Sequence, residues 1–194
     1  MRFIYAAVAA ALAQTPAAGL IPAAVDLETR VTPSVMDCEG YGKSTAFYDN
    51  SPNYSPACAD VTAACLKLNG TSIWSHAPCV AAATCQGTRS VVILNQCQNP
   101  NVLHIASIPN MSGSVYATIV GSANAAANAP ITQQNYIDFV FGQMTAAGVT
   151  QWPTADYVIS NWWDRITSWA ATGNSVPYKD FVDWPHYSET DLDY

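Results

Sequence analysis

Hydrophobic and polar positions alternate or run together in four stretches of the chain, and each reads as a strand. Residues 43–49 (KSTAFYD) alternate in part, and residues 88–97 (TRSVVILNQC) carry a β-branched run with no breaker. Residues 102–108 (VLHIASI) alternate, and residues 113–121 (GSVYATIVG) are bounded by glycine at both ends. The unbroken Val91-Val92-Ile93-Leu94 predicts a central strand covered on both faces.

Helical intervals bracket these strands. Residues 55–70 open on Ser55-Pro56 and stop at Asn69-Gly70. Residues 132–148 offer Thr132 as N-cap and Gly148 as terminator, with Ile137, Val140, Phe141 and Met144 on one face. Residues 154–173 run from a Thr154 cap to Gly173 and place Ile159, Trp162, Trp163, Ile166, Trp169 and Ala170 in one stripe. Helices on either side of the strand-rich region predict an α+β fold. The expected architecture is a single disulfide-stabilised domain whose β-sheet is flanked by helices on both faces, an αβα sandwich.

The N-terminus departs from this pattern. Arg2 precedes an apolar run over residues 3–13 that is too short to span a membrane, and Ala11-Leu12-Ala13 fits a small-x-small cleavage site. Residues 1–24 therefore read as a signal peptide, with room for a pro-segment up to residue 30. The folded domain is expected over 31–188, followed by an acidic tail at 189–194.

Composition sharpens the picture in three ways. Half of the 194 residues are hydrophobic and 11% are charged, which suits a packed core and not a disordered chain. The net charge of -7, with the basic residues scattered singly, excludes a nucleic-acid-binding surface built on clustered Lys and Arg. No later stretch is apolar enough to insert in a membrane.

The six cysteines Cys38, Cys58, Cys65, Cys79, Cys85 and Cys97 predict three disulfides and an extracellular, secreted protein, with the pairing left open among 15 arrangements. Their spacing shows no C-x2-C pair, so no metal and no other cofactor is expected. Asn69-Gly70-Thr71 and Asn110-Met111-Ser112 are N-glycosylation acceptors, while Asn53-Tyr54-Ser55 is weakened by Pro56.

Chemistry is harder to place. His76, His104 and His186 stand near no nucleophile motif. Asp156, Asp164, Asp180 and Asp183 are the carboxylates from which a glycoside hydrolase pair would have to be drawn. The C-terminal stretch VPYKDFVDWPHY spaces Tyr178, Phe181, Trp184 and Tyr187 three apart, and its Pro177 and Pro185 predict an irregular segment or one helical turn. Phe181 and Trp184 read as anchors. Aromatic rings interleaved with polar groups suit sugars, whose faces are apolar and whose edges carry hydroxyls. The candidate ligand-binding set is therefore Tyr178, Asp183, Trp184, His186 and Tyr187.

The segments ITQQNYIDFVFGQ, TADYVISNWW and WAATGNSVPYKDFVDWPHYS, together with the six-cysteine region, resemble a family of small secreted glycan-binding proteins of mushroom-forming fungi. The ink-cap mushroom lectin, an immunomodulatory protein, is the relative in view. The resemblance covers residues 37–188 and implies an αβα sandwich that binds glycans, but it transfers no sugar-contacting residue to a numbered position. The expected function is that of a secreted, lectin-like protein recognising glycans or glycoproteins without metal and without catalysis, with a homodimer allowed. A small secreted glycoside hydrolase, or an effector or defence protein that binds another protein, is the alternative.

Overall fold

The computed structural model of the chain describes residues 32–47 and 55–188. The signal peptide, the pro-segment, the Asn53 acceptor and the acidic tail lie outside the described residues. The architecture is helical: α1 (Val35–Ser44), α2 (Pro56–Leu66), α3 (Ala77–Gln86), α4 (Thr88–Gln98), α5 (Gly113–Val120), α6 (Ser122–Ala126), α7 (Gln133–Ala147), α8 (Ala155–Val158), α9 (Asp164–Ala170) and α10 (Tyr178–Tyr187). The only sheet among the described residues joins β1 (Ile131–Thr132) to β2 (Ser175–Val176), antiparallel, with Ile131 opposite Val176.

The expected αβα sandwich is therefore corrected to a helical domain, and each of the four expected strands has a physical reason for its different fate. Residues 88–97 form most of α4, whose buried positions include Thr88, Val91, Val92 and Asn95. That is helical spacing, i, i+3, i+4, i+7, but polar residues occupy its two ends and hide the period. Asn95 is tolerated inside because its amide donates to the Val91 carbonyl one turn back, at 2.8 Å. Residues 113–121 become α5, in which Val115, Tyr116, Ile119 and Val120 face the core. Ser112 starts it by accepting from the Val115 N–H, so a side-chain cap outweighs the β preference of the β-branched residues. In 102–108 a single 3-10 turn over Ile105–Ser107 interrupts the alternation. The described part of 43–49 is the end of α1 and the turn that follows it.

The helix starts read from the sequence hold, but the expected stop at Gly173 does not: α9 ends at Ala170, with Ala171 left-handed after it. Ser55, Thr132 and Thr154 each cap a helix by accepting a backbone N–H three residues on, and Gly148 closes α7 in the left-handed conformation at φ 75°. Between α8 and α9 the helix widens into a π turn over Ile159–Trp163, and both neighbouring indoles, Trp162 and Trp163, are buried. The core is built on aromatic side chains. Trp74, Trp162, Trp163, Tyr136 and Phe181 are fully enclosed, and Tyr136 stacks on Trp163 with centroids 4.9 Å apart.

Three disulfides join Cys38 to Cys97, Cys58 to Cys85 and Cys65 to Cys79. The last two rivet α2 to α3, and all four of their cysteines are buried. The first joins α1 to α4. Helix α1 buries no residue at all, although Ser34 and Asp37 form a full capping box at its start. The disulfides fit an oxidising, extracellular setting, and no described helix is long and apolar enough to cross a membrane.

Candidate functional site

The C-terminal stretch is a ten-residue helix, α10, and not an irregular segment. Pro177 occupies its N-cap, where no N–H is missed, and Pro185 lies in the final turns. The three-residue aromatic period explains how it packs. On an α-helix each step of three falls about 60° short of a full turn, so four such residues sweep about half the circumference. The middle pair faces inward: Phe181 is 0% and Trp184 6% exposed, with stacked rings 6.1 Å apart. The end members lie towards the rim. Tyr178 is half-buried and packs on Tyr116 at 4.4 Å, whereas Tyr187 is 51% exposed.

Of the five candidate ligand-binding residues, Trp184 and His186 are thus inside, Tyr178 and Asp183 are half-buried, and Tyr187 alone is well exposed. His186 has a structural bond. Its Nδ1 lies 3.0 Å from the Ile105 carbonyl, which can only accept, so Nδ1 carries the proton. The other nitrogen, Nε2, is buried with no hydrogen-bond partner, beside the Trp74 ring. These contacts tie α10 to the 3-10 turn at Ile105–Ser107.

The carboxylates considered for hydrolysis are spread out. Asp156 and Asp164 are exposed on α8 and α9, and Asp180 and Asp183 are half-buried on α10. Among the described residues, no three His, Cys, Asp or Glu side chains gather where a metal ion could sit. The acceptor asparagines Asn69 and Asn110 are both exposed.

A different place has the geometry of a binding site. The connection from α7 to α8 runs over residues 148–154 and crosses beside the start of α2, leaving a groove of about 390 Å³. Its walls are Ser55 and Pro56 on one side and Gln151, Trp152, Pro153, Thr154 and Tyr157 on the other. Trp152 is 48% exposed, the indole at this groove left open to solvent, and its inner edge rests on Phe141 at 5.8 Å. Pro153 restricts the backbone just before it to extended conformations, which fixes the main chain that carries the indole. Tyr157 is held from behind by Trp162, with centroids 6.0 Å apart.

Two hydroxyls of this groove are fixed as well. Ser55 Oγ accepts from the Cys58 N–H at 3.3 Å, and Thr154 Oγ1 accepts from the Tyr157 N–H at 3.2 Å. A hydroxyl that accepts a cap bond keeps its own proton for another partner. The Tyr157 phenol is neutral at physiological pH by its ordinary pKa, and burial raises that pKa further.

Reasoning from the sequence did not single out Trp152. The available signal was its position: a lone Trp between a helix-ending Gly148 and Pro153 belongs to no apolar stripe and has no helix face to hide it. A second concavity, about 540 Å³, lies around the Cys38–Cys97 bridge. It contains Glu39 and no aromatic ring.

No protein-family model, curated protein or solved structure matches the chain.

Proposed function

We propose that the chain is a secreted, non-enzymatic carbohydrate-binding protein that holds glycans without metal, and that it does so in the Trp152 groove. The observation that carries this reading is the half-exposed indole of Trp152 standing beside two hydroxyls held in helix caps and the Gln151 amide. A pyranose ring has C–H faces that lie against an aromatic plane and hydroxyls at its edge that need both donors and acceptors. Trp152 provides the plane, while Ser55, Gln151 and Thr154 provide the polar partners. Support also comes from the three disulfides, which suit secretion.

Screening the purified mature protein and its Trp152→Ala variant on a glycan array tests the reading. Binding to at least one glycan class is expected, and it is expected to vanish in the variant while the melting temperature holds. An array without signal would end the carbohydrate reading. Signal unchanged by Trp152→Ala would place the sugar elsewhere.

A second reading, contact with another protein, has one observation behind it. Val35 and Met36 are 78% and 83% exposed side by side on α1, the helix that buries nothing. Concentration-dependent self-association lost on Met36→Asp, measured by sedimentation, would favour it.

A further inference from the structure

The groove also carries information about which sugars it takes. We infer that the Trp152 groove is selective for uncharged saccharides and rejects those bearing carboxylate, sulfate or phosphate. This inference rests on the carbohydrate-binding reading of the same groove and adds the chemical class of its ligand.

The argument begins with what lines the site. Among the described residues that form its walls there is no Lys, Arg, His, Asp or Glu. The one titratable group among those described wall residues, Tyr157, is a phenol whose already high pKa burial raises further, so it carries no charge. An anionic sugar placed here would exchange its hydration for a surface with no counter-charge, and burying an unpaired charge costs far more than burying a hydroxyl. The wider field acts in the same direction. The chain carries a net charge of -7, and the exposed Asp156 comes one residue before Tyr157.

The polar groups fit a neutral sugar in kind. Ser55 and Thr154 each spend an acceptor site on a helix cap. The exposed Thr154 keeps a hydroxyl proton that a ring or hydroxyl oxygen can take, while Ser55, 6% exposed, contributes from a buried position. The Gln151 amide adds both a donor and an acceptor. Such groups discriminate hydroxyl geometry, whereas anion recognition calls for guanidinium or ammonium groups, and none is among the described wall residues. The volume of about 390 Å³ sits at the low end of small-molecule sites, which span roughly 300–1,000 Å³. A short oligosaccharide fits that size.

The test pairs each neutral sugar with an acidic form of the same core. The mature protein is titrated by calorimetry with cello-, chito- and galacto-oligosaccharides, and with uronate, sulfated or sialylated counterparts. The neutral member is expected to bind at least about tenfold more tightly. Its affinity is expected to hold between about 0.05 and 0.5 M salt, because no ion pair is formed that salt would screen. Gln151→Lys, which places a cation in the wall, is expected to narrow the tenfold gap. Trp152→Ala is expected to abolish binding of the neutral member.

Each other result has a defined meaning. Equal or tighter binding of the acidic sugars, still lost in Trp152→Ala, would overturn the selectivity and leave the carbohydrate reading standing. Failure of every saccharide, with a proline-rich peptide bound at the same indole, would overturn both.

Discussion

Two segments of this chain share a vocabulary of aromatics, prolines and small polar residues, yet they put it to opposite uses. Helix α10 turns Phe181 and Trp184 into the core and seals them there with His186. The α7–α8 connection holds Trp152 half in solvent between the left-handed Gly148 and Pro153. A helix provides a buried face for rings three apart, so composition that resembles a sugar platform becomes packing. A connection has no such face, and an aromatic placed there stays accessible unless a neighbouring element covers it. Periodicity, more than composition, separates an anchor from a platform.

The comparison can be broken most directly at Trp184. Trp184→Ala, or Phe181→Ala beside it, is expected to cost about 3–5 kcal/mol of folding stability in urea titrations, the usual result of emptying an aromatic site in a core. A loss below about 1 kcal/mol would mean that α10 merely lies on the surface.

His186→Ala comes next, at about 1–3 kcal/mol, because the Ile105 carbonyl would be left without its donor. His186→Asn, which can return a donor, is expected to recover part of that loss. Full stability in both variants would remove His186 from the anchor.

Alkaline titration probes the burial on each side of the comparison. Burial raises the phenol pKa of Tyr136 in the core, with Thr84 pulling the other way, and burial also raises that of Tyr157 at the groove. A group with a raised folded-state pKa keeps its proton longer in the folded protein than in the unfolded chain. Its stabilising contribution is therefore complete below the unfolded value of about 10 and is lost as pH rises towards the folded one. Melting temperature is expected to fall as pH rises above about 10. Tyr136→Phe should flatten the fall more than Tyr157→Phe, since only Tyr136 is fully enclosed.

The smallest changes in stability are expected from the exposed rings. Trp152→Ala should shift folding by less than about 1 kcal/mol and Tyr187→Ala by less than about 0.5 kcal/mol. Trp152→Ala alone of the two should eliminate saccharide binding.

Three helix starts were legible in the sequence, since Ser55, Thr132 and Thr154 all cap as their types suggest, whereas the caps at Ser34 and Ser112 went unread. Fold class was not. The stripe of α4 begins with Thr88 and ends with Asn95, and hydropathy cannot tell a polar residue satisfied inside a protein from one facing water. The anchors Phe181 and Trp184 could be read from spacing, whereas the inward turn of His186 depends on a carbonyl 81 residues away. Trp169 shows the opposite error, standing 38% exposed although it falls on the apolar stripe of its helix. The groove was hidden because it joins Ser55 to Trp152, and nothing local to either residue announces the other.

One feature of the fold bears on how the protein is made. The three bridges are concentric: Cys65–Cys79 lies within Cys58–Cys85, which lies within Cys38–Cys97. During synthesis from the N-terminus, pairing each cysteine with the next to emerge would join Cys38 to Cys58, Cys65 to Cys79 and Cys85 to Cys97. Only the innermost of these is native. Where pairing follows that order, the other two are exchanged by an isomerase thiolate that attacks each non-native disulfide, forms a mixed disulfide with the chain, and is released when the native pair closes. Yield of the correctly bridged protein should accordingly follow the supply of a disulfide isomerase more closely than the supply of oxidant.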